Sequence, residues 1–72
     1  MKNTFLRNRI RVARAERELS QEDLARLAGV TRQTIGSIEK EQYIPSALLA
    51  FVLADCLGKP VDQLFYLEGD EK

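Results

Sequence analysis

Seventy-two residues with 11 Lys or Arg, 11 Asp or Glu, one cysteine and no histidine make a single small domain (1–72) with little apolar surface to bury, so a compact helical fold or an obligate partner is expected. Without histidine there is nothing from which to build a Cys–His pair or the usual metal sites, and no apolar run approaches the roughly 20 residues of a membrane span; no enzyme, cofactor, small-molecule substrate or membrane partner is expected. Only Phe5 and Leu6 separate Met1-Lys2-Asn3-Thr4 from the first arginines, too short an apolar region for a secretory leader, so the cytoplasm is the default location.

In chain order, Arg7–Arg17 reads as a first helix with Ile10, Ala13 and Arg14 on one side and Arg7, Arg11 and Glu18 over the rest, and Leu19 closes the turn after it. Ser20 can accept an unpaired backbone N–H of the next helix, and Asp23 three residues on forms a capping box with Asp in place of Glu or Gln. That helix begins at Gln21, carries an apolar stripe of Leu24, Ala25, Leu27 and Ala28, and ends at Gly29, which takes a left-handed conformation without a Cβ penalty. Thr31 caps a third helix with Ile35 and Ile38 inward and Arg32, Gln33, Gly36 and Ser37 outward.

Lys40–Pro45 is a connector in which Pro45 holds Ile44 extended. Ser46 caps a fourth helix that runs to about Leu57 and stops at Gly58, and Pro60 opens a short fifth helix through Leu64 or Phe65. Thr4-Phe5-Leu6 and Phe65-Tyr66-Leu67 either pair as a short antiparallel β-ribbon or lie over the core as an apolar lid; the polar tail, 68–72, frays. Cys56 sits in an apolar helical pattern and reads as a small buried residue.

On the fourth helix, a wheel of about 100° per residue gathers Leu49, Ala50, Leu53, Ala54 and Leu57 on a core arc and sets Leu48, Phe51 and Val52 opposite, beside Asp55. Three large apolar side chains on that outer arc suggest a contact surface, most simply a two-fold dimer; the alternative is burial beneath the terminal segments holding Phe5 and Tyr66. Charge is uneven along the chain. Residues 1–40 hold nine Lys or Arg against five Asp or Glu, a balance of +4, and residues 41–72 hold two against six, a balance of −4. Such a polarity orients one end of a molecule toward DNA and keeps the other away.

Ser20–Glu39, SQEDLARLAGVTRQTIGSIE, resembles the helix-turn-helix of lambda-repressor-like DNA-binding domains of the Cro/C1 or XRE type, with Arg14, Ser20, Gln21, Leu24, Ala25, Gly29, Val30, Thr31, Thr34, Ile35, Ile38 and Glu39 in register. The likeness runs from about Asn8 to Phe65 and implies an all-α, five-helix fold. It also implies a homodimeric, sequence-specific regulator of transcription, most simply a repressor on a palindromic double-stranded operator. The rival is an antitoxin or protein-interaction adaptor in which DNA binding is secondary.

By this resemblance the third helix enters the major groove with its N-terminal residues at base edges. Gln33 is the first choice for base reading; Gln21 packs against it and meets a phosphate; Arg32 meets either a guanine or a phosphate. Thr31 caps the helix whose N-terminus faces a phosphate, Ser37 touches a base edge or is merely solvated, and Arg11 contacts phosphate. Gly36 costs about 0.8–1 kcal/mol against alanine in mid-helix and reflects either close approach to DNA or weak selection. Arg14 and Glu39 form a structural pair. One position departs from the family: Lys40-Glu41 replaces the usual Asn-Gly or Lys-Gly. Glu41 then either holds a positive φ with its charge toward a phosphate, or the turn differs.

Overall fold

In the computed structural model, which describes residues 3–69, the chain runs β1 (Thr4–Asn8), α1 (Ile10–Glu16), α2 (Gln21–Ala28), α3 (Arg32–Glu39), α4 (Ala47–Leu57), α5 (Val61–Leu64) and β2 (Phe65–Gly69). The helices follow the expected order, and the all-α description needs one amendment. β1 and β2 pair antiparallel with Phe5 opposite Glu68, Leu6 opposite Leu67 and Asn8 opposite Phe65. The terminal segments are therefore a ribbon, and Glu68 and Gly69 belong to a strand instead of a frayed tail; the rest of that tail, 70–72, lies outside the described residues.

The ribbon also corrects the start of the first helix, expected at Arg7 and found at Ile10. Asn8 makes the switch from strand to helix. Its Oδ1 accepts the Ile10 backbone N–H at 3.2 Å while its Nδ2 donates to the Ile38 carbonyl at 3.0 Å, so one side chain fixes the local turn and ties it to α3. At the other end Glu18, with φ +56°, occupies the left-handed position usually given to glycine, and the Leu19 N–H returns to the Arg14 carbonyl at 2.9 Å.

The remaining boundaries are set by caps. Ser20 Oγ accepts the Asp23 N–H at 2.9 Å and Asp23 Oδ2 accepts the Ser20 N–H at 3.0 Å, a reciprocal capping box. The backbone and hydroxyl of Ser20, then Arg26, hold the Asp23 carboxyl below its ordinary pKa. Ser46 Oγ accepts the Leu49 N–H at 3.1 Å, and α4 ends at Gly58 with φ +68°. The positive φ calls for glycine there, and a Cβ would also push aside the Arg17 guanidinium, whose Nε donates to the Leu57 carbonyl at 2.9 Å. That cation sits at the negative end of α4 and satisfies one of its unpaired carbonyls.

Ile10, Leu24, Ile35, Ile38, Leu53, Leu57 and Leu64 form the buried centre, with Ala13, Ala25, Ala54 and Phe65 packed among them. Leu27 was expected in this set and is 59% exposed. The inward stripe of α2, packed by α3 and α4, is narrower than its apolar residues allow: it centres on Leu24, Ala25 and Ala28, and Leu27 lies beyond its edge. Cys56 is half-buried, and burial followed by the charge of Asp55 pushes its thiol pKa up, the opposite of an activated nucleophile. The charge polarity is partly cancelled by the fold, since Arg7 pairs with Glu41 and Glu68, and Lys59 with Glu16.

Candidate nucleic-acid interface

Packing Leu24, Ala25, Ile35 and Ile38 against the core fixes α2 and α3 relative to each other. Arg32 and Gln33 are left exposed at the start of α3, with Gly36 and Ser37 half-exposed one turn on. Thr31 Oγ1 accepts the Thr34 N–H at 3.1 Å, the cap expected of it. Two open clefts flank this face. One of about 440 Å3 is lined by Gln21, Arg32, Gln33, Gly36, Ser37, Lys40 and Gln42; the other, of about 270 Å3, by Thr31, Gln33, Thr34, Ser37 and Tyr43. Gln33 and Ser37 line both and form the ridge between them.

Lys40, Gln42 and Tyr43 were not expected at this surface. Lys40 lies seven residues after Gln33, so the helical period that selected Gln33 and Ser37 would have reached it. Gln42 and Tyr43 follow the end of α3, where that period no longer applies. Gly36 is not demanded by internal packing, because a Cβ there would come no closer than 3.8 Å, to Gln21 Nε2.

Behind the face lies a chain of polar contacts. Arg14 donates from Nε to Glu39 Oε2 at 2.7 Å, from Nη2 to Glu39 Oε1 at 3.2 Å and from Nη1 to the Leu19 carbonyl at 3.0 Å. The two side chains are only 14% and 2% exposed. Burial alone would raise the Glu39 pKa; hydrogen bonds from Arg14 and Gln21 and the charges of Arg14 and Arg11 outweigh it and hold the carboxyl below its ordinary range. Gln21, which lines the larger cleft together with Gln33, donates from Nε2 to Glu39 Oε1 at 3.0 Å and accepts from Arg32 Nη1 on its Oε1 at 3.0 Å. Arg11 is largely exposed, its Nε 3.8 Å from Glu39 Oε1.

The loop after α3 keeps the backbone that Glu41 was expected to strain, with φ +64°. Its carboxylate does not stand free toward a phosphate. It takes a hydrogen bond from Arg7 Nη1 at 2.6 Å, and Arg7 Nε holds Glu68 at 3.0 Å. The hydrogen bond and charge of Glu41, then the charge of Glu68, raise the Arg7 pKa. Glu41→Gly therefore removes a left-handed penalty of about 1 kcal/mol together with a solvent-exposed ion pair, which water screens. It should melt at or slightly above the wild-type temperature, whereas Glu41→Gln, which keeps the strain and loses the charge, should melt lower. The reverse order in paired thermal melts would show the ion pair to outweigh the backbone.

On α4 the two arcs separate as the wheel suggests except at Val52, which stands on the outer arc yet is covered to the same degree as Leu49 and Ala50 on the inner one. Leu53, Ala54 and Leu57 are buried, Leu48 is 76% and Phe51 61% exposed, and Val52 is half-buried. Among the described residues, the paired terminal segments leave Leu48 and Phe51 exposed. Among the described residues no three His, Cys, Asp or Glu side chains gather as metal ligands, and no helix is long and apolar enough to cross a membrane.

A helix-turn-helix family model matches residues 10–64, from the first residue of α1 to the last of α5. The chain belongs to the Cro/C1-type (XRE) helix-turn-helix family. It is 46% identical over 66 residues to an uncharacterised HTH-type transcriptional regulator of Methanocaldococcus jannaschii, covering 92% of this chain and all of that protein. It is 40% identical over 65 residues to the uncharacterised HTH-type transcriptional regulator YgzD of Bacillus subtilis, covering 90% and 98% of the two chains. Among solved structures it resembles the restriction-modification controller protein C.AhdI from Aeromonas hydrophila, with 33% identity, a TM-score of 0.71 and coverage of 75% and 78%. A putative DNA-binding protein from Bacteroides fragilis matches at 27% identity and a TM-score of 0.78 over 86% of this chain and all of that one.

Proposed function

We propose that this helix-turn-helix protein is a sequence-specific repressor that occupies a palindromic double-stranded operator as a homodimer in the cytoplasm. The observation that carries the reading is the Gln33–Ser37 ridge between two polar clefts, with Arg32 beside it at the N-terminus of α3. A glutamine amide can pair bidentately with adenine and an arginine with guanine, which is what a ridge entering the major groove requires. The exposed Leu48 and Phe51 on α4 suit a two-fold seam, which sets two recognition helices about 34 Å apart for symmetric half-sites. The same apolar side chains would also suit a different protein, the antitoxin or adaptor reading.

Selection from random duplexes, followed by binding at several salt concentrations, tests the proposal. Affinity should fall steeply with salt while sequence preference persists. Gln33→Ala should cost about 1–3 kcal/mol and relax preference at one or two base pairs, whereas Arg11→Ala should weaken all sequences alike. A selected site unchanged by Gln33→Ala would remove Gln33 from base reading. A stable complex with another host protein, together with no DNA retention, would favour the adaptor.

A further inference from the structure

We infer that Glu39 is a positioning residue for base reading: acting through the side-chain amide of Gln21, its carboxylate holds Arg32 in the pose that meets a guanine. The inference rests on the DNA-binding reading above and goes further, giving a residue shielded from solvent a role in specificity. A carboxylate only accepts hydrogen bonds and a guanidinium only donates them, so the amide between them has one permitted orientation. With Gln21 Nε2 on Glu39 Oε1 at 3.0 Å, Gln21 Oε1 must face outward, where Arg32 Nη1 meets it at 3.0 Å. Reversal of the amide would set acceptor against acceptor at Glu39 and donor against donor at Arg32.

The base of this relay is rigid. Glu39 is clamped by two hydrogen bonds from Arg14 and its side chain is only 2% exposed. The far end is exposed, and an arginine there has many rotamers to lose on binding. Its bond to Gln21 restricts those rotamers before DNA arrives, which lowers the ordering cost of the complex. Only one guanidinium donor is engaged by Gln21, and the guanidinium has five, so others stay free for guanine O6 and N7.

Three variants test the relay against duplexes changed one base pair at a time, at a temperature where circular dichroism shows each protein folded. Gln21→Met deletes both bonds and leaves the Arg14–Glu39 pair in place. Glu39→Gln offers Gln21 a donor as well as an acceptor and lets the amide turn over. Combining Glu39→Gln with Gln21→Glu restores an acceptor facing Arg32 and a donor–acceptor link behind it. The two single variants should lose, at one base pair per half-site, the roughly 5- to 150-fold discrimination that a bidentate contact supplies. All other positions should keep their preference. The combined variant should recover that discrimination while binding every duplex more weakly, because it moves a carboxylate from the buried position 39 outward to position 21, nearer the phosphates. In the free protein, Glu39→Gln should also shift the NMR signals of the Gln21 amide and the Arg32 guanidinium, a readout independent of DNA.

A uniform loss of affinity with every base preference intact would overturn the relay and leave the DNA-binding reading standing. Wild-type protein with no preference among duplexes would overturn both. If Glu39→Gln and the combined variant fail to fold, Gln21→Met decides alone.

Discussion

Arg14→Met is expected to destabilise the fold by about 3–5 kcal/mol, because removing one partner of a buried ion pair leaves the Glu39 charge with only the Gln21 hydrogen bond and the exposed Arg11 at 3.8 Å. Glu39 would lose both hydrogen bonds from Arg14, and the Leu19 carbonyl would lose its contact with Nη1. A domain of this size holds only about 4–11 kcal/mol in total, so the loss should lower the melting temperature by tens of degrees. Adding Glu39→Met should restore much of the difference, since replacing both members of a buried pair by apolar groups is far less costly than orphaning one. The pair also sets an acid limit. The folded pKa of Glu39 is lowered from its ordinary 4.5, so its contribution is full above about pH 4.5 and is lost as pH falls through the lower folded value. Denaturant unfolding at pH 7 and below pH 4 should show a smaller acid loss for the double variant than for wild type. A cost under about 1 kcal/mol for Arg14→Met would make this an ordinary surface pair.

The legible features were those settled within a few residues of chain. Ser20, Thr31 and Ser46 each accept a backbone N–H three residues on, Gly29 and Gly58 take the left-handed turn, and these local bonds set α2, α3 and α4 where the sequence puts them. What was missed depends on residues far apart. Arg7 looked helical by spacing, but it pairs with Tyr66 across the ribbon and bonds Glu68, 61 residues away; the strand pairing overrides the helical period. Asn8 betrayed nothing of its bond to Ile38.

Glu41 is legible in one respect only. Its register in the motif offered the positive φ it adopts as one of two alternatives, while its partner Arg7 stands 34 residues earlier and comes within reach only once β1 is paired. The same limit applied to Gln21. The motif marked it as important, but not that Glu39 and Arg32 would take opposite ends of its amide. Leu27 failed for a simpler reason: an apolar residue at the margin of a stripe is buried only if a neighbouring helix reaches that far.

Phe51→Lys is expected to give a folded monomer with operator binding weaker by about 10²–10⁴-fold, the factor by which joining two binding modules raises affinity without any new contact. The expectation starts from α4. Leu53 and Leu57 on its inner arc are at most 1% exposed, whereas Phe51 on the outer arc is 61% exposed, so a lysine at 51 removes no core contact and its ammonium stays in water. Thermal melts of the monomer should therefore stay close to wild type, apart from the stability that association itself adds. Leu53→Ala should show the opposite pattern, losing about 2–5 kcal/mol of stability by opening a cavity. The contrast separates a seam from a core. Two recognition helices on one rigid dimer engage both half-sites of a palindrome together, and a monomer must bind each alone. Sedimentation of the wild type provides the decisive control: a monomer at tens of micromolar, where specific dimers persist, would sink the two-fold seam. Leu48 and Phe51 would then be surface for another protein, and a symmetric operator would have to be read by two independent monomers.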